Sequence, residues 1–165
     1  MIRPLLCALA ALCLVRDALA FGPVGHEVVA EIAARELDLG SVKIKPYLHE
    51  VVPVVDPDRV DFGALPIGLE RTPPEEREAA HVQVEKVRDR FFKAPRRSSF
   101  VLLFTHGNLI RYLVARTLRL PYEAWAMMDI AHCGMTELRV YGSGFEALIN
   151  FNDTGHLPPS LITTA

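Results

Sequence analysis

His106, Gly107 and Asn108 are the residues whose types and spacing could do chemistry together. They follow Val101–Phe104, an apolar run that reads as a strand buried on both faces. They precede Leu109, Tyr112, Leu113 and Leu118, which recur at helical spacing. An imidazole therefore leaves an interior strand at the mouth of a helix. Asn108 is a good N-cap, Gly107 lets a ligand approach the backbone, and the first helical N–H groups have no internal partners. Those donors and the helix dipole favour a phosphate. In open parallel sheets ligands bind beyond the carboxyl ends of strands, so His106 is placed to touch the same anion. Spacing alone leaves open a histidine that only hydrogen-bonds a neighbouring loop.

The elements that must position this trio are of mixed α/β type. Val28, Val29, Ile32, Ala33 and Leu37 give a first helix an apolar stripe, and residues 42–48 read as a short strand. Residues 51–74 are rich in Pro and Asp and read as an irregular loop, with turn signals at Asp56-Pro57 and Phe62-Gly63. Thr72 before Pro73-Pro74 and two glutamates predicts a helix start, continued by Ala80, Val84, Val87 and Phe91 on one face. Lys93, Arg96 and Arg97 follow as a basic cluster that suits a helix C-terminus. Met135–Tyr141 and Phe145–Phe151 alternate as strands around Gly142-Ser143-Gly144, which predicts a hairpin.

Thr105-His106-Gly107-Asn108-Leu109-Ile110-Arg111-Tyr112 resembles the second-histidine motif of the histidine phosphatase superfamily, the phosphoglycerate-mutase-like fold. Leu120-Pro121-Tyr122-Glu123-Ala124-Trp125, Cys133-Gly134-Met135-Thr136-Glu137-Leu138 and Asn152-Asp153-Thr154-Gly155-His156-Leu157-Pro158-Pro159 are similar to its PGAM-type serine/threonine protein phosphatases. The resemblance covers residues 42–163 with gaps and implies a partial three-layer fold with a mostly parallel sheet. It implies a phosphomonoesterase acting on phosphoproteins or other phosphorylated substrates, without cofactor or metal. His106 would contact the phosphoryl oxygens, with Gly107 and Asn108 as phosphate-binding neighbours. Glu50, in Tyr47-Leu48-His49-Glu50, aligns where relatives place an acid near the leaving group, a role that needs a raised pKa. Relatives also open with Arg-His-Gly, whose histidine is the phosphoacceptor, and no Arg-His-Gly occurs in this sequence. Phosphoryl transfer needs an in-line nucleophile, so a non-catalytic phosphate-binding remnant or interaction module is the alternative. Without the family's first strand, Val101–Phe104 would be an unpaired edge, so marginal stability or self-association is expected.

The amino terminus reads differently. Residues 1–20 carry Arg3, an apolar stretch and Ala18-Leu19-Ala20, the pattern of a cleaved secretory leader too short for a stable membrane span. Residues 21–40, with Phe21 and His26, resemble the first helix of secreted zinc-dependent single-strand nucleases, although a lone histidine and a terminus do not make a closed zinc site. A secreted nuclease fragment is thus a second alternative. A domain boundary is expected near residues 40–41, with the phosphatase-like part over 41–165. The leader implies a secreted or periplasmic product, and a cytoplasmic or mitochondrial-associated one if the leader belongs to a composite gene.

Composition agrees with one globular domain. After removal of residues 1–20, 16 basic residues face 19 acidic ones, a balance that gives no reason to expect nucleic-acid binding. Cys7 and Cys13 would leave with the leader, so Cys133 is expected to be a lone, packed thiol.

Overall fold

The computed structural model describes residues 43, 45–59 and 70–164. The expectations for the leader, His26, the helix over residues 28–37 and the Phe62-Gly63 turn lie outside them. Among the described residues, two α-helices and one hairpin, with three short 3₁₀ turns, make up the regular structure. Helix α1 is Pro74–Phe91, α2 is Gly107–Thr117, β1 is Met135–Val140 and β2 is Glu146–Asp153.

Helix α1 begins at a proline, whose missing N–H costs nothing in the first turn, and carries Glu75 and Glu76 there and Arg88 and Arg90 in its last turn. Ala80, Val84 and Val87 form its buried face, as their spacing predicts. Thr72 does not cap it. The Thr72 hydroxyl donates to the Pro53 carbonyl at 3.0 Å and accepts the Val55 N–H at 2.8 Å. The Lys93, Arg96 and Arg97 cluster lies beyond the helix end rather than in its last turn.

Leu109, Tyr112 and Leu113 of α2 close the core against Val51, Val54, Ala80, Val84 and Val87. Leu118 stops short of it as the helix C-cap, largely exposed. Strands β1 and β2 pair antiparallel, with Glu137 opposite Asn150 and Val140 opposite Glu146. The turn between them uses Gly144 at φ 82°, a conformation that suits glycine.

The expected mix of helix and sheet is present, and among the described residues the sheet is two-stranded and antiparallel. Two expectations are corrected. Val101–Phe104 is not a strand. A strand exists only where a neighbour completes its ladder, and here Phe100, Val101 and Leu102 are 99%, 59% and 55% exposed while Leu103 packs on the core. Residues 46–48 form a single 3₁₀ turn beginning at a proline, in place of the short strand expected over 42–48. In addition, Cys133 is disulfide-bonded, which corrects the lone-thiol reading.

The most consequential segment is one that reads as a loop. Residues 51–59 carry no regular structure except a turn after Asp56, yet Val51, Val54 and Val55 are core residues. A buried irregular backbone must find partners for its polar groups, and side chains from α2 and beyond supply them. The Tyr112 hydroxyl accepts the Val54 N–H at 2.5 Å and donates to the Val52 carbonyl at 3.0 Å. The Trp125 indole N–H donates to the Val54 carbonyl at 2.7 Å, and the Thr105 hydroxyl to the Leu48 carbonyl at 2.8 Å. Asp56, nearly buried, is held by Arg71 at 2.9 Å and Arg77 at 2.6 Å.

Candidate phosphate-facing site

Pinning the 48–56 segment across α2 brings two of the expected site residues together from positions far apart in sequence. His106 is the N-cap of α2, in extended backbone at φ −92° and ψ 162°, and its carbonyl accepts the Ile110 N–H at 3.1 Å. Its ring is mostly covered, with 12% of the side chain exposed. The Nδ1 atom lies 3.8 Å from Glu50 Oε2, whose side chain is 44% exposed. Glu50 Oε1 accepts the Val51 N–H at 3.0 Å.

Gly107 and Asn108 flank this pair in different roles. A Cβ on Gly107 would stand 3.1 Å from Ile130 Cγ2, so the missing side chain makes room for packing from the 128–131 segment. Asn108 is one residue inside the helix rather than its cap. Its amide donates to the Val51 carbonyl at 3.3 Å, and its side-chain oxygen accepts from Arg111 Nη1 at 3.0 Å. Asn108 thus ties the helix mouth to the segment carrying Glu50.

Burial is the main force on the charges here. It raises the Glu50 carboxyl above its usual range, opposed by hydrogen bonding from the Val51, Asn108 and Leu109 N–H groups and by the Arg111 charge. Burial lowers the His106 imidazole, and nearby His49 adds to the effect. Arg111 is also lowered by burial, against the pull of Asp129 and Glu50. The arrangement is a partly dry corner with an imidazole biased toward its neutral form, a carboxyl biased toward holding a proton, a guanidinium and the N–H groups of the first turn of α2. Such a corner can accept an anion and pass a proton to an oxygen. Arg111, one helical turn from Asn108, is the member that sequence reasoning missed. Its i, i+3 spacing from Asn108 is the signal that could have found it.

No group of His, Cys, Asp and Glu able to hold a metal occurs among the described residues. His81, lowered by its burial, and His106 have the same consequence for stability. Each binds protons less readily folded than unfolded, so its contribution is present above the unfolded pKa of about 6.5 and is lost as pH falls through the folded value. Glu50 has the opposite sign, with its contribution complete below its ordinary 4.5 and lost as pH rises through the folded value. Denaturant midpoints measured downward from pH 7.5 should therefore fall below pH 6.5, and the double variant His81→Gln, His106→Gln should flatten that limb. An unchanged slope in the double variant would rule out these imidazoles as its source.

Comparison with known proteins adds a direct likeness. The model of the histidine phosphatase superfamily (branch 1) matches residues 17–154. The serine/threonine-protein phosphatase Pgam5, mitochondrial, of Drosophila grimshawi is 31% identical over 145 residues, which is 85% of this chain and 48% of that protein. The protein of the same name from Caenorhabditis elegans is 33% identical over 88 residues, 52% of this chain and 31% of its own length. The one from Drosophila mojavensis is 29% identical over 146 residues, 85% and 48% respectively. The chain spans about half the length of the curated relatives that match most of it. The match begins at residue 17, ahead of the resemblance over residues 42–163, runs through residues 21–40 and ends at residue 154. The stretch taken for a nuclease-like helix lies inside the family match.

Proposed function

Because this chain belongs to the histidine phosphatase superfamily, we propose that it is a phosphomonoesterase of phosphoserine and phosphothreonine proteins, with its phosphate-facing site at the start of α2. The observation that carries this is the pairing of His106 with Glu50 at 3.8 Å over the helix mouth. In this reading the His106 ring and the first N–H groups of α2 hold the equatorial phosphoryl oxygens, where negative charge must be met without reorganisation. Water, the acceptor that remains where no Arg-His-Gly histidine is present, attacks phosphorus in line as Glu50, biased toward its protonated form by burial, donates a proton to the departing oxygen of the side chain, releasing inorganic phosphate and the free hydroxyl. The relatives are named mitochondrial, and we extend that location to this chain in preference to secretion. Among the described residues no helix is long and apolar enough to cross a membrane.

A second reading is favoured by the sequence itself. With no Arg-His-Gly present, the chain would bind phosphoryl groups without forming a phosphohistidine and would act as a phosphate-binding module. Incubation with a phosphopeptide labelled in its phosphoryl group separates the two. Release of labelled phosphate with peptide turnover supports the enzyme, whereas binding without release supports the module. In either case His106→Ala should weaken phosphate binding roughly tenfold to a hundredfold, the usual cost of one donor to a charged group. Equal phosphate affinity in His106→Ala would remove the site from both readings.

A further inference from the structure

Three stretches of chain meet at the tip of the β1–β2 hairpin, at the opposite end of α2 from His106. The linker after α1 reaches it through Pro95, whose carbonyl oxygen stands 4.0 Å from where a Cβ on Gly142 would be. The end of α2 reaches it through Arg116, Thr117, Leu118 and Arg119, which line a cavity of about 630 Å³ together with Phe145. Apolar groups stand in water on all three. At the tip, Phe145 is 59% and Tyr141 42% exposed, their rings packed at 5.8 Å, and Leu118 and Leu120 are exposed beside the cavity. The linker itself runs on into the uncovered Phe100, Val101 and Leu102. Exposed apolar groups gathered in this way mark a surface that meets a partner.

Charge says which partner. Lys93, Arg96, Arg97 and Arg119 are exposed, and among the described residues none of them forms an ion pair. The carboxylates at the cavity are already engaged, Glu146 by Arg88 and Glu85 by Arg116, each at 2.7 Å. The chain as a whole carries a net charge of −2, so the free cations are a local concentration. We propose that this face docks on the surface of an anionic phospholipid bilayer. Tyr141 and Phe145 enter the boundary between headgroups and acyl chains, the four cations meet lipid phosphates, and the cavity gives a headgroup room beside Arg119. The aliphatic members decide among partners. A nucleic acid would use the cations but gain nothing from Val101, Leu102 and Leu118, and a second copy of this chain would bring four cations against four. A bilayer satisfies both kinds of group at once.

The test mixes the full chain with vesicles of phosphatidylcholine alone and with vesicles that also carry phosphatidylserine, and measures partitioning by cosedimentation. The natural chain should bind the anionic vesicles and lose that binding as salt rises. Arg96→Gln with Arg97→Gln should weaken it roughly tenfold to thirtyfold, as expected for two cations near a charged surface. Phe145→Ser should weaken it roughly tenfold, with the thermal midpoint checked against the natural chain. Phe145→Trp keeps an aromatic ring at the tip and reads insertion directly. Its added indole emission should move to shorter wavelength on anionic vesicles and be quenched by brominated lipid. No binding to anionic vesicles, equal partitioning after loss of Arg96 and Arg97, or an indole at that position that stays in water would overturn the proposal. A single-stranded oligonucleotide held more tightly than the vesicles through the same residues would assign the face to nucleic acid, and a dimer dissolved by Phe145→Ser would assign it to self-association; either result overturns it.

Discussion

Replacing Tyr112 with alanine should destabilise the domain by about 3–5 kcal/mol, the range for deleting a fully buried aromatic side chain. It should also do something that an ordinary core truncation does not. Tyr112 is wholly buried in α2, with its ring edge-on to Tyr122, and its hydroxyl is bonded to the backbone of both Val52 and Val54. Burial pushes that hydroxyl far above its usual pKa, so it remains a donor throughout the accessible pH range. The residue is thus both core and clamp, and Tyr112→Phe separates the parts. Phenylalanine keeps the ring but strands the Val54 N–H in a dry interior, a loss of about 1–3 kcal/mol. Denaturant midpoints give the two values, and amide exchange at Val54 reports the clamp directly. The clamp is also how a core residue reaches the site, since the strand of backbone it fixes begins beside Glu50. Tyr112→Phe with natural stability and natural exchange at Val54 would show that the hydroxyl does not hold this segment.

What could be read from the sequence divides along a physical line. The faces of α1 and α2 and the β1–β2 hairpin were legible because each is written in local periodicity. Ala80, Val84 and Val87 recur every three or four residues and are buried together, and the glycine-rich turn lies between alternating runs. The family was legible for the same reason, since its motifs are short and contiguous. Val101–Phe104 misled because apolarity records a preference for burial, whereas a strand needs a partner that this stretch does not encode. The 51–59 segment misled in the other direction. Its prolines and aspartates signal a loop, and nothing local shows that Tyr112, Thr72 and Trp125, remote in sequence, bring hydrogen bonds to its backbone. The helix mouth was placed correctly but capped by the wrong residue. Asn108 is the better cap by type, yet its side chain is committed to Val51 and Arg111, and the helix begins at Gly107. Proximity of Glu50 to His106 was implied by resemblance alone, because no spacing rule links residues joined through a clamp.

Gly134→Ala is the second change with a large expected effect, and its cause lies away from the candidate site. A Cβ at Gly134 would fall 2.2 Å from Asn152 Oδ1 and 3.1 Å from the Ala131 carbonyl oxygen, so something must move. Asn152 is poorly able to do so. Its Oδ1 accepts the buried Ala131 N–H at 2.8 Å, its own N–H donates to Thr136 Oγ1 at 3.2 Å, and its backbone already sits at φ 54°. Turning the amide away would relieve the overlap but leave the Ala131 N–H without an acceptor. Overpacking and the orphaned donor together should cost about 2–5 kcal/mol. A double-mutant cycle tests the mechanism rather than the magnitude alone. Asn152→Ala removes both the hydrogen bond and the obstacle, so adding Gly134→Ala to it should cost about 1 kcal/mol or less. If Gly134→Ala is equally damaging with and without Asn152, the steric conflict with that side chain is not its cause. Because β1 starts at Met135 and the 128–131 segment packs Ile130 against Gly107, loosening this corner should also reach the mouth of α2. Line broadening at the Gly107 and Asn108 amides in Gly134→Ala, absent in Asn152→Ala, would distinguish a displaced segment from a merely weakened hairpin.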